Sequence, residues 1–330
     1  MRDSAKKGST LSKNVCKLPH MPKVSVIIPV YKVERYIERC ARSLFEQTLE
    51  DIEYVFVNDC TPDRSMEVLA RVLEDYPSRK KQIRILDMPV NSGQARVREE
   101  GVKHATGDYV IHCDSDDWID ITMYDKMWGK AVEGNHDIVL CGFFRSDGNG
   151  SDIVEKIDFR EGDDVCRAMM TDKIECFTWN KLVKREMYGF IRDFPKDNMF
   201  EDAAISIPLA FHCKSAGLVD EPLYFYYTNP GGLCRQTVTM GKVRQIERNI
   251  QLAADHIRSH SATGTYRKEL FHMRCKVRIQ AFPLSRNEYM SVCPDVTYTL
   301  PFDRYTGIRA RLGHVTRCLG IHGISKFFRR

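Results

Sequence analysis

Over residues 24–113, short apolar runs alternate with helical stripes, and few folds tolerate that order. Val24-Ser25-Val26-Ile27-Ile28-Pro29-Val30 is nearly continuous in apolar character, the pattern of a strand covered on both faces. Ile37, Cys40, Ala41 and Leu44 then recur at helical spacing. Glu53 to Val57 reads as a second strand, followed by the turn Asn58-Asp59-Cys60-Thr61-Pro62-Asp63. Val68, Leu69 and Val72 mark a second helix, and Ile83-Arg84-Ile85-Leu86 a third strand. Asn91-Ser92-Gly93 opens a third helix ending near Gly107, and Tyr109 to Cys113 is a fourth strand. This β-α-β-α-β-α-β order predicts an α/β fold, a parallel sheet with helical crossovers. Such sheets bind ligands beyond the carboxyl ends of their strands. Tyr31, Asp59 and Asp114 each stand just past a strand end, so topology alone predicts that they share one crevice.

Asp114-Ser115-Asp116-Asp117-Trp118 leaves the fourth strand with its carboxylates crowded together. They repel one another unless a cation or strong hydrogen bonds neutralise them. Carboxylate oxygens suit Mg²⁺ or Mn²⁺, which bind one or two protein carboxylates together with substrate phosphates. The segment is therefore either a metal–diphosphate site or an Asp-rich surface turn.

Composition narrows the remaining classes. The chain has 330 residues, room for one large domain or two smaller ones, and 43% hydrophobic residues to build a core. A net charge of +5 is too mild to predict a nucleic-acid partner. Twelve cysteines are scattered without a C-x-x-C pair, which argues against a zinc ribbon. Cys40, Cys113 and Cys141 sit inside apolar patterns, as reduced thiols of a cytoplasmic protein would. Residues 1–20 are polar, lack the apolar core of a signal peptide and are expected to be a disordered leader. No run approaches the roughly 18 apolar residues of a membrane span.

After Gly142 the pattern loosens. Gly148-Asn149-Gly150 is a loop tip, Ala203 to Phe211 an expected helix that Pro208 could kink, and Leu223 to Tyr227 an expected strand. From about Lys242 the chain is expected to be helical and basic.

These positions together resemble the family 2 glycosyltransferases of the GT-A fold, over roughly Lys23 to Thr237. Val26 to Tyr31 is similar to the family's opening strand and Pro-x-Tyr turn. Val57 to Asp63 is similar to its Val-Asp-Asp-Gly-Ser-x-Asp turn, with Asn58 and Cys60 as departures. Asn91-Ser92-Gly93 through Arg98 to Gly101 is similar to its Asn-x-Gly…Ala-Arg-Asn-x-Gly helix start, with Glu99 as a departure. Tyr109 to Trp118, Trp179-Asn180-Lys181-Leu182 and Phe200-Glu201-Asp202 are similar to its later elements.

The resemblance implies a Rossmann-like, mostly parallel sheet with helices on both faces, plus a basic helical C-terminal extension. It implies a GT-A domain over 21–240, with a nucleotide-sugar half at 21–118 and an acceptor half at 119–240, and a helical region over 241–330. It implies donor contacts from Pro29, Tyr31, Asp59, Arg98, Asp114 and Asp116, with Asp116 on a Mg²⁺ or Mn²⁺ ion. Tyr31 would stack on a base, or else is a core-edge tyrosine. Asp59 would accept the uracil imide proton, or else cap an Asx turn. Arg98 would reach the base, ribose or diphosphate, or else face solvent. Asp117 would hold a metal-bound water or cap the next helix. Asp202 is implied as general base of an inverting displacement, with Glu201, Trp179 and Lys181 lining or supporting the acceptor side. Local sequence also allows the Glu201-Asp202 pair to be an ordinary helix start, and His112 is read as a core or edge histidine.

The implied partners are a nucleotide-sugar donor and a glycan or lipid-linked acceptor, with no nucleic acid. Residues 304–330 place Ile308, Leu312, Val315 and Leu319 on one helical stripe among arginines. That pattern suits either peripheral contact with the inner face of an anionic membrane or a solvated basic tail. Two other functions share this sheet type. A sugar-phosphate nucleotidyltransferase would need a glycine-rich loop where Pro29-Val30-Tyr31-Lys32 stands. A non-catalytic sugar-nucleotide module would not need both Asp116 and Asp202.

Overall fold

The computed structural model describes residues 21–150, 152–232 and 236–320. The expected leader and the last ten residues of the tail lie outside them. β1 (Val24–Val30) runs parallel between β2 (Ile52–Asn58) and β4 (Tyr109–His112), and β3 (Ile83–Asp87) extends the parallel set beyond β2. α1 (Ile37–Phe45), α2 (Ser65–Glu74) and α3 (Gln94–His104) are the crossovers between them. The predicted α/β alternation is therefore present element by element.

Side-chain alternation explains why both faces are covered. Val24, Val26, Ile28 and Val30 point into one apolar cluster with Ile37, Cys40, Ala41 and Leu44 of α1, while Ile27 points into another. On β2, Tyr54 and Phe56 join the first cluster, and Val55 and Val57 pack with Val97 of α3.

Beyond β4 the sheet becomes mixed. Its elements are β5 (Trp118–Ile119), α4 (Met123–Glu133), β6 (Ile138–Ser146), β7 (Asp152–Glu155), α5 (Val165–Met170), β8 (Lys181–Lys184), α6 (Glu201–His212) and β9 (Ala216–Tyr227). The strand order is β3-β2-β1-β4-β8-β6-β9-β5, with β7 paired to β6. β8 is antiparallel to both β4 and β6, whereas β6 and β9 run parallel.

Two differences from the sequence expectation have a local cause. Gly142 looks like the end of a pattern but sits inside β6, where the register with β9 shifts on either side of it. A Cβ there would meet the Glu221 carbonyl oxygen at 3.1 Å, so the close approach favours glycine. The expected strand Leu223–Tyr227 is only the end of β9, whose first half carries no alternation of its own. The helix expected at Ala203 to Phe211 is α6, which starts two residues earlier and contains Pro208.

α7 (Met240–His260), α8 (Arg267–Gln280), α9 (Arg286–Ser291) and α10 (Ile308–Cys318) follow as the expected helical extension. Val243, Ile246 and Ile250 of α7 join the same apolar cluster as Ile205 and Leu209 of α6 and Ile27 of β1. The C-terminal helices thus cover the second face of the sheet. On α10 the stripe Ile308, Leu312, Val315 and Leu319 is exposed.

Candidate active site

The strand-end acids are held by β9. The Asp114 N–H donates to the Tyr224 hydroxyl at 3.1 Å, and that hydroxyl donates to Asp117 at 2.6 Å. The Tyr227 N–H donates to the other Asp117 oxygen at 2.7 Å. Asp117 is buried, and burial with the Asp116 charge pushes its carboxyl well up. Asp117 does not cap the next helix; it fastens the acidic loop to β9. The helix that follows is instead preceded by Asp120, which accepts from the Thr122 N–H at 2.8 Å.

Asp116 is placed differently. It takes a hydrogen bond from Asn229 Nδ2 at 3.0 Å, and burial and the Asp114 charge push its carboxyl up. This carboxylate feels the Arg39 guanidinium, whose Nη2 donates to the Asp116 main-chain carbonyl at 3.1 Å, yet remains raised. Its hard oxygen donors beside Asp114 fit a Mg²⁺- or Mn²⁺-class ion.

Arg98 neither reaches into solvent nor lies open to a ligand. It is 2% exposed, with Nη2 on Asp114 Oδ1 at 2.8 Å and Nε facing Glu201 Oε1 at 3.4 Å. Burial works against its charge, but Asp114 and Glu201 hold it protonated. Its Nη1 is buried without a hydrogen-bond partner among the described residues. One guanidinium therefore joins the strand-end acids to the acid pair at the start of α6.

That pair is displayed by strained backbone. Phe200 precedes α6 at φ +61°, a left-handed conformation that costs a bulky residue about 1–3 kcal/mol. Glu201 is buried, and burial together with the Asp202 charge pushes its carboxyl up to about 8. Burial also raises Asp202, although its Oδ1 accepts its neighbour Ala203 N–H at 2.8 Å. Asp202 is only partly covered and is the more accessible member of the pair.

The donor-side turns close around β1 and β2. The Ser115 hydroxyl donates to the Pro29 carbonyl at 2.6 Å, joining the ends of β1 and β4. Tyr31 is 39% exposed, with Lys32 Nζ 5.1 Å from its ring centroid. Asp59 is buried and accepts from the N–H groups of Ser92 at 2.6 Å and Gly93 at 2.9 Å. It therefore pins the loop before α3, and a carboxylate so placed keeps lone pairs for a further donor. Cys60, which stands where the family has glycine, is at φ +53°, and that backbone conformation is what glycine serves.

Trp179 and Lys181 support the site from behind and do not line it. Trp179 is buried, stacking on Tyr224 at 4.2 Å and Phe177 at 4.6 Å between ring centroids. It thus braces the tyrosine that holds Asp114 and Asp117. Lys181 is buried and donates to the carbonyls of Glu175 at 2.8 Å and Phe177 at 2.7 Å. Burial pushes its ammonium down to about 8. His112 is a core histidine, with Nε2 3.2 Å from the Tyr188 hydroxyl.

Three residues of this arrangement escape the sequence reading. Tyr224 is legible as a strand residue, but not as the hydroxyl between Asp114 and Asp117. Asn229 follows β9 in a loop without periodicity. Asn198 Oδ1 accepts the Ala95 N–H at 3.2 Å at the start of α3, from more than one hundred residues away in sequence.

Comparison with known proteins agrees with this geometry. The family described as glycosyl transferase family 2 matches residues 25–196, just over half of the chain. The uncharacterized glycosyltransferase EpsJ of Bacillus subtilis is 29% identical over 266 residues, covering 78% of this chain and 76% of EpsJ. The S. aureus TarS 1-349 structure in complex with UDP-GlcNAc superposes with a TM-score of 0.59 at 18% identity, over 90% of this chain and 92% of that one. The mannosyltransferase PcManGT from Pyrobaculum calidifontis, in complex with GDP-Man and Mn²⁺, gives 0.58 at 16% identity, over 92% of this chain and 77% of that one. The two structures share the fold, and the family match covers both the strand-end acids and the turns that face them. This chain belongs to glycosyl transferase family 2 and is a glycosyltransferase of the GT-A fold.

Proposed function

We propose that this glycosyltransferase moves a sugar from a UDP-sugar to a hydroxyl of a glycan or lipid-linked acceptor, with inversion and with Mg²⁺ or Mn²⁺. The observation that carries the reading is Arg98, bonded to Asp114 on the donor side and facing Glu201 on the acceptor side. It makes the two acidic groups one site.

Asp116, with Asp114 beside it, would hold the divalent ion, which when bound offsets the charge gathering on the leaving diphosphate. Asp59 accepts the imide N–H of the base, and Tyr31 offers a face for stacking, worth roughly 1–3 kcal/mol. Asp202 accepts the proton of the attacking hydroxyl. The acceptor oxygen bonds to the anomeric carbon as the bond to the diphosphate breaks, and the proton ends on the Asp202 carboxylate. Glu201, neutral over much of the working range, orients the acceptor without adding a competing negative charge.

The test is a screen of UDP- and GDP-sugars for nucleoside diphosphate release, with Mn²⁺ or with EDTA, and NMR of the product. UDP-sugar turnover with inverted configuration is expected. Turnover of GDP-sugars alone removes the uracil reading, retention removes the single displacement, and full activity in EDTA removes the metal.

We further propose that α10 rests on an anionic lipid surface. No described helix is long and apolar enough to cross a membrane. Leu319 is 69%, Ile308 62% and Leu312 51% exposed, and Arg309 on the same helix is exposed as well. An apolar stripe beside cationic side chains is matched by a bilayer with negative headgroups. The protein should co-sediment with phosphatidylglycerol vesicles and not with phosphatidylcholine vesicles, and Leu312→Glu should weaken that binding. Equal recovery with both lipids, or an unchanged Leu312→Glu variant, rejects this role.

A further inference from the structure

At the opposite end of α6 from Glu201-Asp202, three histidines converge. His212 is the last residue of α6, and His256 and His260 lie one turn apart on α7. Each offers a ring nitrogen, and the three atoms lie within 4.8 Å of one another. The Nε2 atoms of His212 and His256 are 2.9 Å apart. None of these residues takes part in the site described above, which is roughly 16 Å away along the helix.

The contacts of His260 free a ligating nitrogen, while a metal would replace the proton shared between His212 and His256. His260 Nδ1 lies 2.8 Å from the His256 carbonyl oxygen and 2.9 Å from Ser259 Oγ. A carbonyl can only accept, so Nδ1 carries the hydrogen and Nε2 keeps its lone pair. Metal-binding histidines are commonly oriented in this way, through a hydrogen bond at the other nitrogen. His212 and His256 are partly covered, stacked and edged by aromatic rings. Phe190 lies 4.1 Å from His212, and Phe211 lies 5.0 Å from His212 and 6.1 Å from His256, between centroids. Burial holds His212 down and, with the neighbouring His260, holds His256 down to about 4. Neutral imidazoles are the ligating form. Arg192 adds a further positive charge acting on His256, a modest repulsion that a bound cation would also feel.

We propose that His212, His256 and His260 bind a divalent transition-metal ion of the zinc class. A tetrahedral ion with bonds of about 2.0–2.1 Å sets its nitrogens roughly 3.3 Å apart. The cluster brackets that spacing, with one pair at 2.9 Å and all three atoms within 4.8 Å of one another. Three imidazoles with no carboxylate select Zn²⁺ and its neighbours over Mg²⁺, so this site is chemically distinct from the Asp116 site. The fourth position is left to water. The ion ties the end of α6 to α7 and so fastens the C-terminal helices to the helix that displays Asp202.

The test uses the full chain carrying Asp116→Ala, which removes the strand-end ligand. Calorimetric titration with Zn²⁺ alone should show one equivalent bound, and thermal unfolding should shift upward on addition. Titration with Co²⁺ should give the intense visible bands of a tetrahedral nitrogen site. In the same background, His212→Gln, His256→Gln and His260→Gln should each weaken Zn²⁺ binding by more than about tenfold. The half-buried His104→Gln, on α3, should change nothing. If a buried-side variant misfolds by circular dichroism, His260→Gln, whose ring is exposed, decides the question. Absence of Zn²⁺ uptake at equimolar concentration, or uptake indifferent to His260→Gln, overturns the site.

Discussion

The two acidic groups of this enzyme carry the same side-chain chemistry but are neutralised in opposite ways. At the end of β4, every carboxylate has a different partner: Arg98 for Asp114, Asn229 for Asp116, and Tyr224 with the Tyr227 amide for Asp117. At the start of α6, burial raises both Glu201 and Asp202; Arg98 faces Glu201 at 3.4 Å, and Arg98, Lys276 and Lys181 act on Asp202 through space. The first arrangement gives Asp116 only an amide as side-chain partner, with Arg39 acting on it through space. The second raises both carboxyls, so that Glu201 keeps its proton to a higher pH than an ordinary carboxylate. Partners, not residue type, set how each carboxyl titrates.

The largest test of this contrast is Asp116→Ala. Losing a group that would anchor the ion costs several kcal/mol of charge stabilisation, about three decades of turnover or more. Metal-dependent donor binding should vanish with it, while the fold survives. Undiminished turnover would show that Asp116 is a surface acid after all.

Asp202→Asn should lower kcat by roughly 10²–10⁴ and leave donor KM nearly unchanged. Asparagine keeps the shape and is also a good helix start, so a purely structural role predicts parental kcat and stability. Retention of more than about a tenth of the parental rate rejects proton transfer at this position.

Tyr224→Phe probes the clasp on the first group. It removes the hydroxyl between Asp114 and Asp117 and should cost about 1–3 kcal/mol in denaturant unfolding. Turnover should fall far less than in Asp116→Ala. Unchanged stability would mean that the Tyr227 amide alone holds the loop.

Glu201→Gln should perturb turnover least, and its effect is read from stability through pH. The folded carboxyl of Glu201 is pushed up to about 8, whereas an unfolded glutamate titrates near about 4.3. Between those values the native state holds a proton that the unfolded chain has released. Stability therefore falls as pH rises through this window, and the contribution is complete only below about pH 4.3. Glutamine should remove a slope of at most about 1.4 kcal/mol per pH unit. Parallel stability profiles for parent and variant would place Glu201 in contact with water.

Much of the fold and part of the site are legible in the amino-acid order, for physical reasons that differ between residues. The strands β1, β2 and β4 are legible because continuous apolar runs have few alternatives to a doubly covered strand. Asp114 and Asp116 are legible because a strand end and its next turn are local. The pattern of β6 breaks at Gly142, since a bulge looks like an end when its partner strand is unseen. Whether Trp179 and Lys181 line the wall or brace it from behind is not legible, because a motif specifies residue types and not which way they face.

Sequence alone determined the alternation of strands and helices, the order of the motifs, and hence the crevice on which they converge. Those properties follow from hydrophobic periodicity and chain connectivity, which act over a few residues at a time. Only the tertiary structure decided what each charge meets. Arg98 and Glu201 are 103 positions apart, and so are Ala95 and Asn198. Burial then set which carboxylates are raised, because desolvation depends on every element packed around a group and none of that packing is written in its neighbours along the chain.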